Sequence, residues 1–132
     1  MPIQVTWHDE QQGIARATFV GNWTMKHFRT AWNRCYEMLV EQADQRVDFI
    51  IDMRDIILIP PDFVRQFRAL RFNPQPNSGL VLIVGADDHM QILISHIHKT
   101  LLASLDIAFA DTLEDAEAQI RQARHEPMAL TA

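Results

Sequence analysis

The chain has 132 residues, near the usual length of one domain, and its 48% hydrophobic and 22% charged residues set it apart from disordered chains. A formal net charge of −5 supplies no overall attraction to phosphate backbones or anionic lipid surfaces, which argues against nucleic acid as a partner. The lone cysteine, Cys35, rules out an intramolecular disulfide and any CxxC metal or redox motif, and it fits a reducing cytoplasm.

The opening MPIQVTWHDE has neither the basic start nor the apolar core of a secretory signal, and no apolar run approaches the roughly 18 residues of a spanning helix. A cytoplasmic protein without membrane insertion is expected. Ile3, Val5 and Trp7 then alternate with Gln4, Thr6 and His8, the period of a strand with one buried face, and Gln11-Gln12-Gly13 supplies a turn. Ile14 to Val20 repeats the alternation and stops at Gly21-Asn22, so an antiparallel hairpin at a sheet edge is expected. Thr24 is placed to cap a helix reaching about Ala43, with Phe28, Trp32, Cys35 and Leu39 on one apolar stripe and Met25, Ala31 and Met38 beside it.

Val47, Phe49, Ile50 and Ile51 form a nearly continuous apolar run ending at Asp52, which suits a strand covered on both faces. Pro60 and Pro61 stand where a helix can begin without wasting backbone donors, and Phe63, Val64, Phe67 and Leu70 mark that helix until the loop of residues 73–77. Gly79 to Gly85 is a further apolar strand, after which Asp87 and Asp88 can cap a helix with Met90, Leu93, Ile94, Ile97 and Leu101 inward. Ile107 to Ala110 is a short fifth strand. Thr112 to Asp115 resembles a capping box, opening a last helix with Leu113, Ala116, Ile120 and Ala123 inward. The expected fold is therefore α/β, in the order β-β-α-β-α-β-α-β-α, with a mixed, mainly parallel five-stranded sheet packed against helices. One domain over residues 1–126 and a flexible tail over 127–132 complete the expectation.

Several short segments carry a family resemblance: G-N-W-T at Gly21 to Thr24, I-I-D at Ile50 to Asp52, the Pro60-Pro61 pair, and T-L-E-D-A at Thr112 to Ala116. Together with the element order they resemble the STAS domain, the fold of anti-sigma-factor antagonists, in a variant branch of small bacterial proteins. In that family a buried strand ends in an aspartate, and a DSSG-like turn bearing a phosphorylatable serine starts the next helix. Asp52 matches the aspartate, but Pro60, Pro61, Asp62 and Phe63 occupy the place of that turn. The resemblance thus implies the fold without the serine switch. Asp62 reads either as a fixed negative charge resembling the modified form or as simple complement to the helix dipole.

Six histidines invite a metal reading that helical geometry weakens. His89 and His96 lie within about 20° on one wheel but about 10 Å apart along the axis, and His98 points elsewhere. Ser78, Ser95, Ser104 and Cys35 all lack the sharp turn of a nucleophile elbow, and no G-x-G-x-x-G or Walker-type loop occurs. Asp52 and Asp55 could together hold a divalent ion, a weaker option. The expectation is a protein that is not an enzyme and uses no cofactor.

Two function classes remain. The favoured one is a non-catalytic interaction or regulatory domain that binds a protein, a second copy in a homodimer being one such partner, through Pro60, Pro61, Asp62, Arg65, Arg68, Phe72 and Asn77. Arg65 and Arg68 point away from the Phe63 and Phe67 face, and Phe72 falls near them on the wheel, an interface composition unless Phe72 folds under the proline loop. The alternative is a small-molecule or lipid carrier of the CRAL-TRIO type. It requires an apolar pocket near the second and third helices, lined by Phe63, Phe67, Met90 and Ile94, whereas a tightly filled core there would favour the interaction domain.

Overall fold

The computed structural model describes residues 2–56, 59–70 and 75–125. Alternating apolar residues build β1 (Ile3–Asp9) and β2 (Ile14–Gly21), which pair antiparallel across a turn where Gly13 takes a positive φ of 68°. The chain continues through α1 (Met25–Glu41), β3 (Val47–Ile56), α2 (Phe63–Ala69), β4 (Ser78–Val84), α3 (Asp88–Leu101), β5 (Asp106–Ala110) and α4 (Leu113–His125). The five strands form one sheet in the order β1-β2-β3-β4-β5, parallel from β2 onward. This is the mixed α/β architecture read from the sequence.

The layering follows from the connections. Each crossover from β2 to β5 steps the same way along the sheet, and a right-handed crossover then places α1, α2 and α3 on one face. The last helix, α4, folds back over the other face, where Ala116 and Ile120 meet Ile14, Ile50 and Leu82. Local caps fix where the helices start. The Thr24 hydroxyl accepts from His27 N–H while His27 Nδ1 accepts from Thr24 N–H, a capping box with histidine in the usual glutamate position. Asp87 accepts from Met90 N–H at 2.8 Å, and Thr112 from Asp115 N–H at 3.0 Å.

One boundary differs from the sequence reading by more than two residues. β3 does not end at Asp52 but runs to Ile56, so this aspartate lies inside the strand. Pairing with β4 stops at Asp52 opposite Val84, while pairing with β2 continues through Asp55 and Ile56. The extension is held by charge: Asp52 Oδ1 accepts from the backbone N–H and Nε of Arg54, and Oδ2 accepts from Arg54 Nη2 at 2.8 Å and Arg16 Nη2 at 3.0 Å. Among the described residues, no helix is long and apolar enough to cross a membrane. The expected tail of residues 127–132 lies outside the described residues.

Candidate functional site

A parallel sheet covered on both faces should bury its middle strands completely. On the α4 side Ile50, Leu82 and Val84 are fully buried, and Leu80 partly so. On the opposite side Phe49 and Ile83 are buried, but Ile51, Met53 and Val81 between and beside them are only half-buried. Helix packing accounts for the difference. α4 lies close on β3, β4 and β5, and α1 on β1 and β2, whereas α2 and α3 make few close backbone approaches to the sheet. The aromatic rings that α2 turns inward meet α1 and each other first. Phe63 stands edge-on to Phe28 at 5.2 Å and Phe67 edge-on to Trp32 at 5.5 Å, which props the short α2 above the strands.

The space beneath is a cavity of about 420 Å³. Its floor includes Phe49, Ile51, Met53 and Val81, and its roof includes Phe63, Phe67, Met90 and Ile94, the four residues a carrier reading required. This volume is within the range of small-molecule sites and well above the roughly 150 Å³ at which an apolar cavity takes up benzene. Among the described lining residues there is no charged side chain and no histidine. Polar groups gather at one end, where Asn33, Tyr36, Gln75 and Ser78 contribute to the wall and Gln75 Nε2 lies 3.4 Å from the Tyr36 hydroxyl. Cys35 is also in the wall, and burial pushes its thiol up to about 12, with Arg34 only partly opposing the rise. It is a protonated, nearly apolar group at neutral pH.

Trp23, at the start of α1, bounds the same cavity. The residue is 6% exposed and packs edge-on against Phe19 at 5.1 Å and Phe63 at 5.6 Å. Its indole Nε1 is buried with no hydrogen-bond partner. A bare interior donor of this kind costs about 1–3 kcal/mol, so it marks a place where the fold tolerates a penalty. Trp23 and Ile59 also wall a second recess of about 370 Å³, formed with Asn22, Thr24 and Met25 on one side and Pro60, Pro61, Asp62 and Gln66 on the other.

The residues expected at a protein interface are thus spread over three settings. Pro60, Pro61 and Asp62 line the second recess. Asp62 is hydrogen-bonded by Gln66 and, at 3.3 Å, by Arg65; these two contacts, the Gln66 amide foremost, hold its carboxyl below the usual range. Arg65, with 82% of its side chain exposed, and Arg68 face solvent on the outer side of α2. Asn77 is committed internally, its Nδ2 lying 2.9–3.1 Å from the Leu39, Gln42 and Gln45 carbonyls that close α1. Phe72 lies outside the described residues.

The weaker metal option meets a competing arrangement, because both oxygens of Asp52 are engaged by arginines. Burial alone would raise that carboxyl, but the Arg54 hydrogen bonds and charge, with Arg16 behind them, outweigh burial and lower it. Among the described residues no three His, Cys, Asp or Glu side chains gather as a metal would need. His98 Nε2 donates to the Leu105 carbonyl at 2.7 Å, and His8 Nε2 lies 2.7 Å from Glu117. The sequence reading misses the arginine pair around Asp52 and the role of Trp23, which it meets only as part of the G-N-W-T segment. Protein-family models and curated proteins were both compared with the chain, and neither comparison returned a match.

Proposed function

We propose that the protein binds a small apolar molecule between its sheet and α1, α2 and α3, and serves as a carrier or sensor of that molecule. The observation that carries this reading is the 420 Å³ cavity over the middle strands, whose described walls bear no charge. A void of that size lined by Phe, Ile, Met and Leu forfeits packing that a filled core would have. A guest that enters it removes its own apolar surface from water and restores those contacts. The element order expected of a STAS-like or CRAL-TRIO-like chain is also compatible with such use.

Titration with a small neutral solvatochromic dye such as Prodan tests it. Saturable binding at one site per chain is expected, and Val81→Phe, which plants a ring on the cavity floor, should weaken it by about tenfold or more without unfolding the chain. Absence of saturable binding, or a Val81→Phe variant that binds as the parent does, would refute the reading. A protein partner, including a second copy of the chain, is the reading favoured by the exposed Arg65 and Arg68 on α2. Light scattering on Arg68→Glu tests it: an unchanged oligomeric mass in a protein that is a dimer removes α2 from the interface.

A further inference from the structure

Given a small-molecule site, the wall chemistry narrows what the site accepts. We propose that the cavity takes an uncharged amphiphile, on the order of 15 non-hydrogen atoms with one hydroxyl or carbonyl oxygen, and that the Trp23 indole N–H donates to that oxygen. The size comes from scaling the 420 Å³ volume against a benzene-sized cavity of about 150 Å³.

The absence of charge follows from the walls. A carboxylate, phosphate or ammonium group drawn into this space would lose its hydration and find no counter-charge among the described lining residues. A hydroxyl or carbonyl loses far less on burial, and one good donor offsets that loss. Trp23 supplies such a donor. Its ring is part of the wall, and its Nε1 is the one buried side-chain polar atom without a partner among the described residues. A turn of the ring that brings Nε1 to the cavity surface recovers, with a ligand oxygen, a hydrogen bond that the unliganded fold forgoes. The polar end at Asn33, Tyr36 and Gln75 is the rival place for the oxygen, and there Tyr36 is 39% exposed, so a head group could stay wet. Trp23 is favoured because its buried donor has no other use, whereas Tyr36 is exposed enough for its O–H to donate to water.

This inference rests on the carrier reading, and displacement of Prodan by three matched ligands separates the two. At pH 8, 1-dodecanol is expected to bind about two- to tenfold more tightly than dodecane, the worth of one neutral hydrogen bond. Dodecanoate is expected to bind at least about tenfold more weakly than the alcohol. In Trp23→Phe, which keeps an aromatic ring and removes the donor, the alcohol should fall to the level of the hydrocarbon. The hydrocarbon affinity itself serves as the check that the variant is folded.

Each other result is decisive. If neither dodecanol nor dodecane displaces the dye, the carrier reading fails together with this one. If dodecanoate matches the alcohol, the cavity accepts charge and the ligand class is wrong. If Trp23→Phe keeps the preference for the alcohol and Tyr36→Phe abolishes it, the oxygen sits at the other end and the assignment of Trp23 is overturned. If binding changes the oligomeric mass, the space belongs to an interface and the proposal falls. Should Trp23→Phe fail to fold, the three ligands on the unaltered chain still decide between charged and uncharged guests.

Discussion

Replacing Asp48 with alanine removes a carboxylate on which Arg46, Leu80 of β4 and Arg124 of α4 converge. The side chain is fully buried at the start of β3. Arg46 Nε and Nη2 reach its Oδ1 at 3.0 Å, and Arg124 of α4 reaches its Oδ2 at 2.7 Å while also donating to the Gly13 carbonyl. The backbone N–H of Leu80 on β4 donates to Oδ1 at 2.6 Å. Without the carboxylate the Leu80 donor is left bare, at a cost of about 1–3 kcal/mol. Arg46 and Arg124 keep 38% and 26% of their surface in water, so each lost ion pair contributes only about 1 kcal/mol. Together the loss is about 3–5 kcal/mol, the size found when one partner of a buried pair is deleted. Asp48→Asn keeps an acceptor for Leu80 and should lose about half as much. Urea unfolding followed by tryptophan fluorescence gives both numbers, and at an ordinary slope Asp48→Ala should lower the midpoint by about 2 M. A cost below about 1 kcal/mol for the alanine variant would refute the reasoning, and equal costs for alanine and asparagine would remove Leu80 from it.

Gly79 sits where a Cβ would overlap the Asp48 carboxylate and approach Arg46 Nε at 2.5 Å, so Gly79→Ala should destabilise by about 1–3 kcal/mol. The same change made on Asp48→Ala should cost clearly less, and additivity in that double-mutant cycle would show that the two do not compete for space. Asp52 titrates below its unfolded value, so its contribution is present above the unfolded pKa of about 3.9 and is lost as pH falls through the lower folded value. The stability gap between the parent and Asp52→Asn should therefore be full at pH 7 and shrink below about pH 4; a gap independent of pH contradicts the arginine clamp. With its thiol at about 12, Cys35 should react with iodoacetamide at pH 8 on the order of a thousandfold more slowly than a free cysteine, and a rate within tenfold of free thiol would place it outside the apolar wall.

Much of the architecture was legible because it is written locally. The period-two run from Ile3 to Trp7, the apolar runs of β3 and β4, and the caps at Thr24, Asp87 and Thr112 each need only neighbours in sequence. The expected β3 ends at Asp52, where the apolar run stops and Met53, Arg54 and Asp55 follow. What keeps them extended is Arg16, on a strand far away in sequence. Asn77 read as a polar loop residue for the same reason, since the carbonyls it binds belong to α1 and the turn after it. The four roof residues Phe63, Phe67, Met90 and Ile94 could be named from helical spacing, but whether they touch the sheet could not. That is decided by how Phe28 and Trp32 meet α2, a contact between helices with no periodic trace.

The two faces of the sheet differ in how tightly they are knit, and this governs how the molecule can breathe. α4 is riveted through Ile120, Ala116 and the Arg124 link, so that layer and the strands form a stiff chassis. α2 and α3 approach the sheet less closely and can ride up or settle while the inter-strand ladder stays closed. Amide exchange should accordingly be slowest in β3 and β4 and fastest in α2. That layer can then shift at the tempo of helix sliding, without drawing on the stability of the whole.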